Sequence, residues 1–375
     1  MTPNHQHRPR VLVVGAGIAG LALAHALREQ ALDVTVAERD TQVRTTGAGL
    51  YLPANAVRAL DRLGLGDAVV PHAHAIARQR LLDRRGRVLS QFALDEIWGT
   101  VGDCLSIGRR ELHEALLSSL DPSLIRLGSA VTQADAEGNV TFEDGSSERY
   151  DLVVGADGVN SVVRRGVFGR TEPRFLQQVC WRFIARSAEI GPTADWTVRL
   201  GSAGRTLLTI PLGGERVYVY AETAGSTPQP PSGDWRARFA DFTAPGAELL
   251  EQGADAYFAP LTEIDSSDWT RGRTVLVGDA AHACSPSMAQ GGAMALEDAV
   301  VLAEVLGQAQ TQGVGITGAL ATYQARRAGR IRWVLDQNHR RDKARGLPTP
   351  IRDLTLRVGG LRLFRANHAP LHAEP

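Results

Sequence analysis

"RVLVVGAGIAGLALAHALREQ", residues 10–30, is the stretch on which the fold turns. Arg10 to Val14 is a short run that is apolar after its first residue, and the residues beyond its glycines are apolar nearly all round before they become polar. That pattern predicts a strand, a tight turn and a buried helix. The turn is Gly15-Ala16-Gly17-Ile18-Ala19-Gly20, a GxGxxG in the setting that gives the pattern meaning. Gly15 makes the turn, Gly17 leaves the backbone open to a pyrophosphate, and Gly20 lets helix and strand pack closely. Ile18 and Ala19 begin a helix whose N-terminal N–H groups carry partial positive charge. "LDVTVAERD" (32–40) alternates into a second strand ending at Glu38, with Arg39 beside it. A carboxylate there accepts hydrogen bonds from a ribose and repels a 2'-phosphate. The expected ligand is therefore the ADP half of FAD or of NAD rather than NADP, and this motif alone does not separate the two.

A second stretch does. "VLVGDAAHACSPSMAQGGAMALEDA" (275–299) begins as a buried strand and ends as a helix running to about Leu306. Asp279 emerges where the strand ends, placed to bond the hydroxyls of a ligand chain. Pro286 stiffens the turn, and Gln290-Gly291-Gly292 bares N–H groups at a helix start, an end that stabilises negative charge. A reduced flavin carries such charge on its pyrimidine edge.

The 375 residues predict two or three domains at roughly 150 residues each. The 41 basic and 41 acidic residues balance, so no global field attracts nucleic acid or an anionic membrane. Cys104, Cys180 and Cys284 are far apart and odd in number, which argues against a disulfide framework or a zinc site and for a reducing cytoplasm. No metal is expected. "MTPNHQHRPR" lacks a signal-peptide core, and no stretch reaches the ~18 uncharged apolar residues of a membrane span.

"LPANAVRALDRLG" reads as a helix stopped at Gly64, "RQRLLDRRGRVLSQF" as a hairpin turning at Arg85-Gly86, and "RRELHEALLSSLDP" as a helix halted before Pro122. "VTFEDGSSERYDLVVGADG" reads as a hairpin turning at Asp144-Gly145, its second strand running into another Gly-rich turn. Then "QVCWRFIARS", "DWTVRLGS", "RTLLTIPL" and "ERVYVYAET" succeed one another without helices, an antiparallel sheet. A helix around 320–345 is expected to turn Arg326, Arg327, Arg330 and Arg332 to solvent, with a short solvated tail after it.

With these motifs in this order, the sequence resembles the single-component FAD-dependent aromatic hydroxylases of the para-hydroxybenzoate hydroxylase fold. "GAGIAG" with Glu38 is the first match. "DLVVGADGVNSVVR" (151–164) resembles the family's DG motif, and the 275–299 stretch its GD motif. "RTTGAGLYLPANAVRALDRLGL" and "IGRREL" agree. The resemblance implies an α/β fold: a Rossmann-like FAD-binding domain (1–75 with 101–168 and 267–310), an inserted antiparallel β-sheet substrate domain (76–100 with 169–266) and C-terminal helices (311–375). It implies that Glu38 holds the adenosine ribose, that Arg109 reaches the phosphate or ribityl region and that Asp279 holds the ribityl chain and pyrophosphate. Asp157 and Arg164 would serve FAD positioning and nicotinamide docking, and Arg44 with Gly47, Ala48 and Gly49 would lie near the isoalloxazine. Pro286 would sit over the flavin where oxygen reacts, with Gly291, Gly292 and Ala293 at its charged edge. Ala289 and Ala293 depart from the family, where many members have Gly and Asn.

The implied chemistry is reduction of non-covalently bound FAD by NADH or NADPH, addition of O2 to give a C4a-hydroperoxide, and hydroxylation of an aromatic or polycyclic small molecule, as in the tailoring of secondary metabolites. A monomer or homodimer is expected. The rivals are epoxidation or Baeyer-Villiger insertion, an oxygen-independent reductase or cyclase, and a non-catalytic escort protein. In "CWRFIARS" Trp181 and Phe183 point one way, Arg182 and Ile184 the other. Arg182 thus either meets substrate or is solvated, while Tyr218 and Tyr220 share a face and either orient a phenol or simply pack. His72, His74 and His282 are candidate bases, with His282 the most structural of them, and Cys284 reads as a small buried residue.

Overall fold

The computed structural model describes residues 8–28, 30–42, 48–169 and 172–375, so Arg44 and Gly47 lie outside the described residues. β1 (Arg10–Val14), α1 (Ile18–Leu27) and β2 (Asp33–Ala37) form the unit demanded by the opening stretch. β3 (Gly49–Leu52) and α2 (Ala54–Arg62) lead to a hairpin of β4 (Arg78–Asp83) and β5 (Val88–Ala93). Then come α3 (Arg109–Ser118), β6 (Leu152–Gly155) and α4 (Val162–Phe168). Next are β7 (Arg174–Arg186), β8 (Asp195–Leu200), β9 (Thr206–Pro211), β10 (Arg216–Ala224) and β11 (Tyr257–Glu263). The chain returns through β12 (Thr274–Leu276) and the one-turn helix Asp279–His282 to α5 (Gly291–Gln312), α6 (Ile316–Arg345) and α7 (Thr349–His368).

β1 lies inside a six-stranded sheet in the order Thr270–Arg271, β12, β6, β1, β2, Ile125–Arg126. It is apolar because α1 and the rest of the core cover both its faces. Val14 pairs with Gly155 and Gly155 with Leu276, all in parallel. In-register parallel strands end at one edge, so the glycine-rich turns after β1, β6 and β12 open together. Ligands bind at that edge of an open α/β sheet.

The second sheet has the order β11, β7, β10, β9, β8, β4, β5. Its pairs are antiparallel except β8 with β4, which is parallel. No tight turn joins β4 to β8, so nothing local imposes the antiparallel sense.

Other expectations need correction. The strand read through residues 147–155 is two strands in different sheets: Ser147–Arg149 stays with its hairpin, and β6 joins β1. The break falls at Asp151, whose carboxylate accepts the N–H of Arg10 at 3.0 Å and pairs with Arg273 at 2.7 Å. α5 runs on to Gln312, where Gly313 in the left-handed region (φ 68°) ends it. Of the four arginines expected at a solvated face of α6, Arg332 is exposed beside Asp265, but two others are not. Arg327 is fully buried against Glu297 and Asp298, and Arg330 reaches Glu297. Partnering acids on α5 draw Arg327 and Arg330 inward, which a reading of α6 alone does not see.

The tail is likewise α7, packed on β5 and on the one-turn helix Asp95–Trp98. Its His368 lies against Trp98 and Phe364 and donates from Nδ1 to the Phe364 carbonyl at 2.7 Å. Burial, then the nearby Arg341 charge, pull this imidazole down to about 3. The folded state thus binds fewer protons than the unfolded chain, where the group titrates near 6.5. Stability is full above that value and falls as pH drops from it toward 3. Between pH 7 and pH 5 the loss expected from His368 is roughly 2 kcal/mol. Urea unfolding at both pH values should show that loss, and His368→Phe should flatten it; an identical slope in the variant would assign the acid sensitivity elsewhere.

Candidate active site

The three glycines of the first turn do different work. Gly15 has φ 105°, and a Cβ on it would sit 2.6 Å from the Ala156 carbonyl oxygen. A Cβ on Gly20 would collide with the Gly15 carbonyl, where α1 crosses its own strand. On Gly17 a Cβ would meet nothing within 4 Å. Packing thus explains two of them, and the third faces open space.

Two helices aim N-termini at this region. Neither α1 nor α5 has a side-chain cap or an acidic residue in its first turn, although Ser161 caps α4. Cβ atoms on Gly291 and Gly292 would also meet nothing within 4 Å. Uncapped N–H groups beside open space make a cradle for negative charge. The residues present therefore fit a dinucleotide whose pyrophosphate lies at α1 and whose charged ring edge lies at α5.

Glu38 is pinned rather than free. Its two oxygens accept from Ala16 N at 2.8 Å and Asp40 N at 3.0 Å, which leaves further lone pairs for ribose hydroxyls. Arg39 is exposed next to it, and Arg109 is exposed at the first position of α3, its N–H on the Ala48 carbonyl at 3.0 Å. Asp279 is exposed at the mouth of the β12 turn, without a hydrogen bond or ion pair among the described residues. Asp279→Ala should therefore leave the thermal midpoint of the flavin-free protein unchanged and strip flavin on purification. A full complement of flavin in that variant would remove Asp279 from the site.

Asp157 uses one oxygen to accept from Val162 N and Val163 N at the start of α4, and its Oδ1 is buried without a partner. Burial pushes its carboxyl up. Arg164 differs from expectation: it is fully buried and donates to the carbonyls of Ala280 and Val159. It ties two of the turns together and has no surface on which a nicotinamide could dock. Ala293 is buried in α5.

The Pro286 turn is held from behind. Asn338 Oδ1 accepts from Met288 N at 2.7 Å, and Ala289 takes the left-handed φ of 52° that glycine adopts without strain. Pro286 itself is exposed.

Facing the turns is one side of the second sheet. Trp181 and Phe183 pack outward into a separate core with Phe239, Leu249 and Leu250. Arg182, alternating with them, lies with Tyr220 and Cys180 on the inner side, its guanidinium 5.7 Å from the Tyr220 ring centre and 3.3 Å from Cys180 Sγ. Tyr218 presses on β3: a Cβ on Gly49 would lie 2.6 Å from its Cβ, so Gly49 is glycine to admit this ring. Arg182, Tyr218 and Tyr220 thus share one face of the sheet, the one away from Trp181 and Phe183.

Behind Tyr220 stands a group that sequence reading missed. Tyr220 donates to Glu222 at 2.5 Å, and Arg345 of α6 pairs with Glu222 at 2.8 Å. Arg345 also reaches Ser287 and Asp342. Local sequence pairs Arg345 only with Asp342, three residues before it on α6; its other partners lie on β10 and in the Pro286 turn. The histidines do not form a base here: His282 is buried on Asp298 at 2.6 Å, His74 bonds the Thr193 carbonyl, and His72 is exposed. Burial pushes the Cys284 thiol up to about 12, which keeps it protonated. Among the described residues no cluster of three His, Cys, Asp or Glu could hold a metal, and no helix is long and apolar enough to cross a membrane.

The family described as "FAD binding domain" matches residues 8–338. The chain is 33% identical over 342 residues to a 2-heptyl-3-hydroxy-4(1H)-quinolone synthase of Pseudomonas aeruginosa, covering 88% of this chain and 87% of that one. It is 32% identical over 368 residues to a 3-amino-4-hydroxybenzoate 2-monooxygenase of Streptomyces platensis, covering 92% and 90%. Among solved structures, Klebsiella pneumoniae HpxO complexed with FAD and uric acid superposes with a TM-score of 0.88 at 28% identity, covering 99% of this chain and 98% of that chain.

Proposed function

The chain belongs to the FAD binding domain family and is an FAD-dependent monooxygenase; on that premise we propose that it hydroxylates an electron-rich aromatic small molecule held between the glycine-lined turns and the inner face of the second sheet. The observation that carries this reading is the open cradle at Gly17, Gly291 and Gly292, beside a Pro286 turn that Arg345 ties through Glu222 to Tyr220 of the second sheet. FAD, when bound, supplies the redox chemistry, taking electrons from NADH or NADPH and delivering one atom of O2 to the substrate.

This chain's own residues bind, orient and exclude water. Glu38 and Asp279 would hold the ribose and ribityl hydroxyls, Arg109 a phosphate or the ribityl chain, and the N-termini of α1 and α5 the pyrophosphate and the ring's charged edge. Pro286, on its braced turn, would pack over the reacting ring position and keep water from it. Tyr220, with its hydroxyl proton directed to Glu222, offers its oxygen as an acceptor for a substrate hydroxyl and so fixes ring orientation. The substrate would be a small aromatic or polycyclic compound, acted on without a nucleic-acid partner.

Oxygen uptake and peroxide release, measured during NADH and NADPH oxidation with a panel of phenolic, quinolone and polycyclic compounds, test the reading. A compound that speeds oxidation while lowering peroxide released per oxygen consumed establishes hydroxylation. Anaerobic turnover without oxygen use would establish the reductase or cyclase alternative instead.

A further inference from the structure

Gln337, Arg341 and Arg345 are spaced four residues apart on α6 and so share one helix face. Each has a buried nitrogen without a hydrogen-bond partner: Gln337 Nε2, Arg341 Nη2 and Arg345 Nε. All three unmatched groups are donors. Arg345 has its remaining nitrogens engaged by Glu222, Asp342 and Ser287. Arg341 has no such acid. It donates Nη1 to the Ser287 carbonyl at 2.9 Å, stacks 4.5 Å over the Phe364 ring, and forms no ion pair among the described residues.

Other deep arginines are accounted for. Arg327 meets two carboxylates, and Arg164 and Arg352 meet backbone carbonyls. Arg199 also has free nitrogens, but the Gly246 backbone is packed directly on its guanidinium on the outer side of the sheet, which leaves a ligand no room. Arg341 and Arg345 are different: each residue is half-buried, yet its unmatched nitrogen is closed to solvent and faces no acid. Burial, and then the charge of Arg345, bring Arg341 down to about 9, so an anion beside it would relieve an unfavourable charge. Both arginines bond Ser287, the residue after Pro286, and Arg345 continues through Glu222 to Tyr220.

We propose that Arg341 selects the substrate of this site by taking an oxyanionic substituent of the aromatic ring, with Arg345 positioning it between the Pro286 turn and the sheet. The proposal rests on the hydroxylase reading and adds to it the charge of the substrate and the helix that reads it. A planar guanidinium with one side unmatched favours a carboxylate over its neutral amide, because the amide offers one acceptor and brings no charge.

The test titrates the FAD-loaded protein with 3-amino-4-hydroxybenzoate and with the corresponding benzamide, following flavin absorbance and thermal midpoint. The wild-type protein should prefer the acid by about tenfold or more. In Arg341→Gln the preference should fall to about one while amide affinity is kept, and Arg341→Lys should recover part of it. A wild-type protein that binds neither probe, or both alike, overturns the proposal, as does Arg341→Gln with its preference intact. If Arg341→Gln does not fold, Arg341→Lys decides: acid binding must weaken relative to amide binding, and an unchanged ratio overturns the proposal. Oxygen uptake separates the two levels. Stimulated uptake by compounds whose binding ignores Arg341 leaves the hydroxylase reading standing without this inference. Absence of stimulated uptake across the panel removes the hydroxylase reading, while the acid-to-amide ratio still decides what Arg341 recognises.

Discussion

Arg327→Met should lower the folding stability of the flavin-free protein by about 3–5 kcal/mol, because it removes one partner of a buried charge cluster and leaves the others in place. Arg327 donates Nη1 to Glu297 Oε2 and Nε to Asp298 Oδ1, each at 2.8 Å, with all three side chains essentially inaccessible. Glu297 is also held by Arg330 at 2.7 Å and by Asn55 at 2.8 Å, and Asp298 by His282 at 2.6 Å and the Gly278 N–H at 2.9 Å. Burial pushes both carboxyls up, but the facing cations outweigh it and hold each below its ordinary value.

Such groups contribute stability that is present above the unfolded carboxylate range and lost as pH falls through their lowered folded values. The cluster also reaches the candidate site. Asp298 anchors Gly278, the residue before Asp279, and Asn55 bonds both Glu297 and Gln290, at the start of α5. The variant should therefore lose flavin as well as stability. Adding Glu297→Gln should restore part of the stability, since it removes one stranded charge. Urea unfolding decides the matter: a cost under 1 kcal/mol would mean that water or rearranged neighbours satisfy the two acids.

That cluster also marks where the sequence stops being legible. The turn after β1 is readable because glycine spacing, strand and helix fall within a few residues of one another, and the turn after β12 for the same reason. The sides of β7 are readable as alternation, but which side meets the site depends on the 225–256 segment covering Trp181 and Phe183. Arg327 reads as a solvated residue because its acids sit on another helix, and Arg345 reads as an ordinary surface pair with Asp342 because Glu222 belongs to the sheet. The division of residues 147–155 into two strands is hidden because alternation continues across Tyr150 and Asp151, and only pairing with β1 separates them. Local chemistry encodes turns and helix starts; charge pairing across elements is visible only after the chain has folded.

Gly17→Val should abolish tight FAD binding, lowering affinity on the order of 100-fold or more, with little change in the thermal midpoint of the flavin-free protein. The argument is steric and has its own control. Gly17 has φ −80° and ψ −175°, an extended conformation open to any residue including a β-branched one, and its Cβ direction is empty of protein. The fold thus gives no reason for glycine at this position. A pyrophosphate drawn to the uncapped N-terminus of α1 would occupy that space, and a valine side chain would exclude it. Gly20→Val must behave oppositely, because its Cβ would strike the Gly15 carbonyl and force α1 away from the sheet; loss there is loss of fold before loss of ligand. Flavin-to-protein absorbance ratios and thermal melts of the two variants separate the cases. If Gly17→Val purifies with full flavin, the open space beside α1 is not where the pyrophosphate lies, and the cradle would have to be sought at α5 alone.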